Sequence, residues 1–140
     1  MISQSLGQKD LAILSRYDLS QPGGVMKTIL VVDDEEQIRF LLSEELTEEG
    51  FQVLTAADAM EALKIIEKEP LDLVVLDIRM PGMTGVELLP RILGLKEGLP
   101  VILNTAYSQY QQDFMTWSAN AYIVKSGDLT ELKEKIKELI

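Results

Sequence analysis

The chain has no cysteine and no histidine among its 140 residues. The lack of cysteine excludes disulfides, thiolate metal sites and thiol catalysis. The lack of histidine removes the most common general base and metal ligand, so any phosphohistidine involved must belong to a partner molecule. Carboxylates, hydroxyls and amines are therefore the groups left for chemistry.

Basic residues are scarce, with 13 Lys and Arg against 23 Asp and Glu, which gives a formal net charge of −10. Direct nucleic-acid binding relies on clustered Lys and Arg, so this balance argues against it and favours protein or cation partners. No apolar run has the length of a membrane span, and the N-terminus lacks the pattern of a signal peptide. We therefore expect a cytoplasmic protein that does not contact membranes.

The first 25 residues differ from the rest of the chain. They begin polar, carry a short amphipathic pattern over residues 11–19, and end in a Pro-Gly-Gly stretch typical of a linker. We predict an N-terminal extension over residues 1–25 and one domain over residues 26–140. Two interpretations of the extension stay open: an upstream in-frame stretch that precedes a natural start at Met26, or an arm that packs on the domain or on a neighbour.

From Thr28 onward, short apolar runs alternate with amphipathic helical patterns. The predicted strands cover residues 28–32, 51–55, 73–76, 101–103 and 121–124, and a helical pattern follows each of them. Asp58 is placed to cap the second helix, and Gly50 is placed to end the first. The alternation predicts an α/β fold, a doubly wound five-stranded parallel sheet with helices on both faces.

The predicted fourth helix, over about residues 108–118, carries unusually bulky side chains. Tyr110, Phe114 and Trp117 would share one face. This spacing is typical of core packing, and a partner-binding face is the alternative.

Polar side chains stand at the ends of four predicted strands. Asp33 and Asp34 follow the first strand, Asp77 the third, Thr105 the fourth and Lys125 the fifth. In a parallel sheet these ends meet at one edge, where ligands bind. Three carboxylates there need a cation, because each pair costs about 4 kcal/mol at roughly 4 Å and an effective dielectric constant near 20. All-oxygen ligands favour Mg²⁺ or a similar hard ion over zinc.

A carboxylate, a Mg²⁺ ion, a hydroxyl and an ammonium around one point form a site for phosphoryl transfer onto an aspartate. A plainer interpretation is that Asp33 and Asp34 cap the first helix. Capping does not explain Asp77 and Lys125 at the ends of other strands, so we favour the phosphoryl-transfer site.

Four motifs together resemble the receiver domain of two-component response regulators. They are residues 31–34 (VVDD), 75–85 (VLDIRMPGMTG), 104–107 (NTAY) and 121–125 (AYIVK). The resemblance extends over residues 27–140 and implies a flavodoxin-like (βα)5 fold. It also implies two-component signal transduction by a phosphoprotein, in a chain that catalyses only its own phosphorylation and dephosphorylation and is otherwise no enzyme.

The resemblance implies a role for each acidic residue. Asp77 would accept a phosphoryl group from a phosphohistidine on a sensor histidine kinase or a histidine phosphotransfer protein. Asp34, Asp77 and the main-chain carbonyl of Arg79 would bind Mg²⁺, with Asp33 acting mainly through water.

The resemblance further implies a switch. Thr105 and Lys125 would hold phosphoryl oxygens, and Tyr122 would turn inward when Thr105 moves to the phosphate. The fourth helix, the fifth strand and the fifth helix would then change as a surface and bind a downstream protein or a second copy of the chain. A partly buried core tyrosine is the alternative for Tyr122.

One position departs from the receiver pattern, because Ser126 follows Lys125 where receivers usually have proline. A cis bond before a non-proline residue costs about 2.5–4 kcal/mol. We therefore predict a trans Lys125–Ser126 peptide and expect the aim of Lys125 to be the least constrained part of the site.

We expect a stand-alone receiver, and two other classes of protein compete with it. A phosphorylation-independent interaction module would keep the fold without the chemistry. A Mg²⁺-dependent phosphohydrolase would need an acid two residues after its nucleophile, where this chain has Arg79.

Overall fold

Five short strands form one parallel sheet in the computed structural model, which describes residues 26–112 and 118–140. The strands are β1 (Thr28–Val32), β2 (Gln52–Ala56), β3 (Leu73–Leu76), β4 (Val101–Thr105) and β5 (Ala121–Val124). Their order across the sheet is β2-β1-β3-β4-β5. The predicted extension, residues 1–25, lies outside the described residues.

Helices cover both faces of the sheet, which confirms the predicted doubly wound, flavodoxin-like fold. They are α1 (Glu36–Glu48), α2 (Ala59–Lys68), α3 (Gly85–Leu95) and the C-terminal helix (Thr130–Leu139). Apolar side chains of α1 and the C-terminal helix share one core layer, and those of α2 and α3 share the other. Over the residues that the structure describes, no helix combines the length and hydropathy that crossing a bilayer would need.

The central strands are apolar on both sides because both of their faces are covered. On β1, Leu30 and Val32 face the layer of α2 and α3, whereas Ile29 and Val31 face α1 and the C-terminal helix. Each of these side chains is almost fully buried, and such burial stabilises the fold by about 1.5–3 kcal/mol per side chain. Packing on both faces of the sheet therefore fixes the positions of the residues that follow its strands.

Local signals define the helix ends as predicted. The side chain of Asp58 accepts a hydrogen bond from the Glu61 N–H at 2.8 Å and caps α2. After α1, Gly50 has a φ of 97°, a conformation that favours glycine.

The fourth strand is two residues longer than the apolar run that predicted it. Asn104 and Thr105 pair with Ile123 and Val124 of β5, so the ladder continues past Leu103. The prediction ended early because it followed hydrophobicity, whereas pairing to β5 is a backbone interaction that polar residues can also make.

The segment predicted as the fourth helix does not begin as an α-helix. Ser108–Gln112 forms a 3₁₀ helix, which is frequent at helix ends, and Phe114 and Trp117 lie outside the described residues. Tyr110 is half-buried and packs against the core layer of α2 and α3. The Lys125–Ser126 peptide is trans, which confirms that prediction.

Candidate functional site

The carboxyl ends of β1 and β3 bring two aspartates side by side. Val32 is in register with Leu76, so Asp33 and Asp77 follow adjacent strands, and the Asp77 N–H donates to the Val32 carbonyl at 2.9 Å. Carboxylate oxygens of Asp33, Asp34 and Asp77 all lie within 4.8 Å of one another. The three acidic residues predicted from strand ends are thus brought together.

Asp33 is held on every side. Its N–H donates to the Ala56 carbonyl at 3.1 Å, and its own carbonyl accepts from Arg39 Nη1 at 2.7 Å. Of its carboxylate oxygens, Oδ1 accepts from the Glu35 N–H at 2.9 Å, and Oδ2 lies 2.8 Å from Lys125 Nζ. Asp33 therefore has little freedom to move.

Asp34 is exposed to solvent, whereas the carboxylates of Asp33 and Asp77 are buried. Its side chain makes no hydrogen bond or ion pair within residues 26–112 and 118–140. The N-cap of α1 is Glu35, which makes no capping bond through its side chain. Neither Asp33 nor Asp34 is the N-cap of α1, although the Asp33 carboxylate accepts from the N–H of the N-cap residue Glu35.

Asp77 is buried, with 4% of its surface exposed. Its Oδ1 accepts from the Arg79 N–H at 3.4 Å, and its Oδ2 lies 3.3 Å from Lys125 Nζ. Burial, together with the nearby charge of Asp33, raises the pKa of the Asp77 carboxyl, and Lys125 offsets part of the rise.

Lys125 is the cation of the site. Its ammonium reaches Asp33 at 2.8 Å, Asp77 at 3.3 Å and the exposed Glu35 at 3.5 Å. Burial lowers the pKa of Lys125, but the ion pairs with Asp33 and Asp77 outweigh it, so its pKa stands above the ordinary value. Lys125 is therefore charged and neutralises part of the carboxylate cluster.

Thr105 and Tyr122 both contact the Tyr107 main chain. The Tyr107 N–H donates to Thr105 Oγ1 at 3.3 Å, and the Tyr122 hydroxyl donates to the Tyr107 carbonyl. The Arg79 guanidinium lies over the Tyr107 ring, 4.5 Å from its centre. Tyr107 thus connects the end of β4 to β5 and to the loop after β3.

Residues 29–137 match the family model of the response regulator receiver domain. The chain belongs to this family.

Individual relatives agree with the family. The receiver is 39% identical to sporulation initiation phosphotransferase F of Bacillus subtilis over 114 residues, which cover 80% of this chain and 92% of that protein. It is 35% identical over 116 residues to the alkaline phosphatase synthesis regulator PhoP of the same organism, covering 81% of this chain. The chain spans about half of that longer relative, 48% of its length.

Solved structures extend the likeness to three dimensions. The response regulator TrrA from Thermotoga maritima, in complex with Mg²⁺-BeF, is 51% identical with a TM-score of 0.80, over 82% of this chain and all of that one. TrrA in complex with the histidine kinase ThkA gives a TM-score of 0.78 at 51% identity, over 82% of this chain and 99% of that one.

The donor set of the receiver fits Mg²⁺. Asp33, Asp34 and Asp77 supply only oxygen ligands, which hard cations prefer, and the negative charge there exceeds what Lys125 alone can neutralise.

Sequence reasoning missed three residues that shape the site. Glu35 is a third carboxylate for Lys125, Arg39 donates to the carbonyl of Asp33, and Tyr107 links Thr105 to Tyr122. Glu35 belongs to the acidic run that the sequence singled out, so its neighbourhood carried a signal. Tyr107 belongs to the 104–107 motif, but its links to Thr105 and Tyr122 are made by its main chain and depend on the path of the loop after β4. The contact of Arg39 depends on side-chain direction, which no sequence pattern encodes.

Proposed function

We propose that the receiver takes a phosphoryl group onto Asp77 from a phosphohistidine of a partner histidine kinase or phosphotransfer protein. The observation that carries this proposal is the pairing of the buried Asp77 carboxylate with Lys125 inside a cluster of three carboxylates. TrrA, at 51% identity, supports a kinase partner for this chain because that protein forms a complex with a histidine kinase.

The transfer has one bond made and one bond broken. A carboxylate oxygen of Asp77 attacks the phosphorus atom, the bond from phosphorus to the donor imidazole nitrogen breaks, and that nitrogen keeps the electron pair. Lys125 Nζ, 3.3 Å from Asp77, is near enough to bind an oxygen of the incoming phosphoryl group. The Thr105 hydroxyl at the end of β4 would hold a second oxygen.

Asp33, Asp34 and Asp77 would hold Mg²⁺, with the main-chain carbonyl of Arg79 as a further ligand and Asp33 acting mainly through water. The ion would supply the positive charge that lets two anionic groups approach each other. The Mg²⁺-BeF complex of TrrA supports this assignment for the receiver.

Arg79 argues against general phosphohydrolase activity. Its side chain stacks on Tyr107 and offers no proton that a leaving alkoxide could take, because guanidinium stays charged. We therefore infer that the receiver catalyses only its own phosphorylation and dephosphorylation.

The switch is proposed to pass through Tyr107. If Thr105 Oγ1 turns to a phosphoryl oxygen, it gives up the Tyr107 N–H, and the same residue carries the carbonyl bound by Tyr122. Moving a conformation from rare to dominant takes about 5.5 kcal/mol of differential interaction. New bonds from the phosphoryl group to Thr105 and Lys125 are the proposed source of that free energy.

The switched surface would comprise the predicted fourth helix, β5 and the C-terminal helix. We propose that it binds a downstream protein or, as a homodimer, a second copy of the chain. Residues 26–140 would form the receiver domain, with residues 1–25 as an extension.

Intact-protein mass tests the proposal directly. After incubation with acetyl phosphate and Mg²⁺, we expect one added phosphoryl group on the wild-type chain. We expect none on Asp77→Asn, and none on the wild-type chain with a chelator. A wild-type chain that gains no mass and binds no Mg²⁺ would instead favour the phosphorylation-independent interaction module.

A further inference from the structure

Asn104 is a polar side chain inside an apolar layer. Only 5% of its surface is exposed, and it pairs with Ile123 near the end of β4. Side chains alternate along a strand, and Ile102 packs in the layer of α1 and the C-terminal helix. Asn104 therefore faces the same layer, away from Leu103 and Thr105.

The amide of Asn104 has no protein partner in the described part of the chain. Within those residues, every side-chain nitrogen or oxygen that is fully shut off from water has a hydrogen-bond partner. The unpartnered amide must therefore border space that a water molecule can reach.

Such a space lies beside the amide. A cavity of about 30 Å³ is lined by Asn104, Lys125 and Ser126 on its polar side. Four apolar side chains close the rest of it: Ile38, Leu41, Leu42 and Leu129. About 10–15 Å³ is enough for one water molecule, which needs two to four polar partners.

Asn104 and Ser126 can supply those partners. The amide offers two donors and one acceptor, and the Ser126 hydroxyl, which accepts from the Asp128 N–H at 3.1 Å, keeps a proton to donate. The main chain between them is already tied to β4, because the Lys125 N–H donates to the Thr105 carbonyl at 2.7 Å.

We propose that Asn104 is a positioning residue for Lys125, acting through one water molecule that joins its amide to Ser126. The water would give the Lys125–Ser126 segment a second attachment to β4, beside its bond to Thr105. Lys125 Nζ would then stay aimed at Asp33 and Asp77, although no proline stiffens the residue after it. The inference rests on the proposed phosphorylation of Asp77.

Three variants test the role of the amide. Asn104→Leu keeps the shape of the side chain and removes its hydrogen bonds, Asn104→Thr keeps a hydroxyl, and Ser126→Ala removes the other partner. We expect Asn104→Leu to slow phosphorylation by acetyl phosphate at saturating Mg²⁺ about three- to tenfold, the loss that one net hydrogen bond corresponds to. We expect Asn104→Thr to recover part of that rate.

Stability and coupling separate positioning from a structural role. The urea midpoint of Asn104→Leu should equal or exceed that of the wild-type chain, because an apolar group of the same shape replaces the amide and its water together. The rate losses of Asn104→Leu and Ser126→Ala should not add in the variant that carries both changes, because each change removes the same water bridge. An unchanged rate, a rate loss that tracks lost stability, or additive losses would each overturn the proposal.

A high-resolution crystal structure of the unphosphorylated receiver tests the water independently of activity. We expect one water within hydrogen-bond distance of both the Asn104 amide and Ser126 Oγ, and a dry cavity would refute the proposal. A wild-type chain that takes no phosphoryl group would refute the proposed function and, with it, the role in aiming Lys125. The crystal structure would still decide whether the water site exists.

Discussion

Gly85 stands directly against the main chain of Asp77. A Cβ atom at Gly85 would lie 2.3 Å from the Asp77 carbonyl oxygen and 2.8 Å from the Cα of Ile78. The Gly85 N–H also donates to the Ile78 carbonyl at 2.7 Å, which closes the loop between β3 and α3. The first residue of α3 thus packs against the main chain of the proposed phosphoacceptor, Asp77. Only glycine fits at position 85, because any Cβ atom would clash with that main chain.

Gly85→Ala should displace Asp77. We expect a loss of about 1–3 kcal/mol in the free energy of unfolding, as for other overpacked sites, and slower phosphorylation of Asp77. Gly94→Ala, in the same helix, is the matched control because nothing lies within 4 Å of its added methyl group. It should leave the rate unchanged and stabilise the chain by up to about 1 kcal/mol. Equal behaviour of the two variants in urea unfolding would contradict the close approach.

Hydrophobic patterning predicted most of the fold because both faces of the sheet are buried. Residues 29–32 and 73–76 are continuous apolar runs, and the predicted strands 28–32 and 73–76 match the bounds of β1 and β3. The end of β4 was missed because Asn104 and Thr105 are polar, while their pairing to β5 depends on residues nearly twenty positions away.

In the site, too, the sequence predicted what depends on topology and missed what depends on side-chain and loop conformation. Asp33, Asp77 and Lys125 lie together as predicted. Each follows the carboxyl end of a strand, and in a parallel sheet all of those ends lie at one edge. The hydrogen bond from Arg39 and the stacking of Arg79 on Tyr107 depend on rotamers and loop paths. Hydrophobic periodicity does not predict such contacts.

Acidification should weaken the contact between α1 and the C-terminal helix. Glu49 pairs with Lys137 and lies near Lys133, and its hydrogen bond to Lys137 holds the pKa of Glu49 below the ordinary value of 4.5. A carboxyl whose pKa is depressed by folding contributes stability above its unfolded pKa and loses it as pH falls through the folded pKa.

Glu49→Gln should therefore lower the urea midpoint at pH 7, and its effect should be smaller at pH 3 than at pH 7. Glu44→Gln, within α1, serves as control, because Glu44 is exposed and makes no ion pair among the described residues. A Glu49→Gln effect of the same size at both pH values would show that lost packing, and not lost charge, is responsible.

Asp34→Asn should separate cation binding from stability. Asp34 is exposed and makes no ion pair in the part of the chain described, so the variant without Mg²⁺ should unfold at the wild-type urea concentration or slightly above it. Saturation of a site to 100 times its Kd stabilises a protein by about 2.7 kcal/mol, and Asp34→Asn should lose most of that gain.

Asp33→Asn gives the contrast for Asp34→Asn. It removes a buried charge that pairs with Lys125 at 2.8 Å and should destabilise the chain even without Mg²⁺. Urea unfolding of both variants across a Mg²⁺ titration checks the pair. Full Mg²⁺ stabilisation in Asp34→Asn would place the cation elsewhere.

Lys125→Met should bind Mg²⁺ more tightly while reacting more slowly. Lys125 occupies oxygens of Asp33 and Asp77 that the cation needs, so its removal ends a competition for them. A tenfold gain in Mg²⁺ affinity would correspond to about 1.4 kcal/mol of relieved competition. Without Mg²⁺ the two buried carboxylates lose their partner, and breaking a buried ion pair costs up to about 3–5 kcal/mol.

Calorimetric Mg²⁺ titration and acetyl phosphate kinetics on one preparation measure both halves of the Lys125→Met prediction. Lys133→Met is the matched control, because Lys133 pairs with Glu45 at 3.1 Å near the C-terminal end of α1 and should change neither quantity. If Lys125→Met weakened Mg²⁺ binding, Lys125 would be ordering the carboxylates for the cation and not competing with it. The slower reaction would then follow from lost metal, and the direct contact of Lys125 with the phosphoryl group would lose its support.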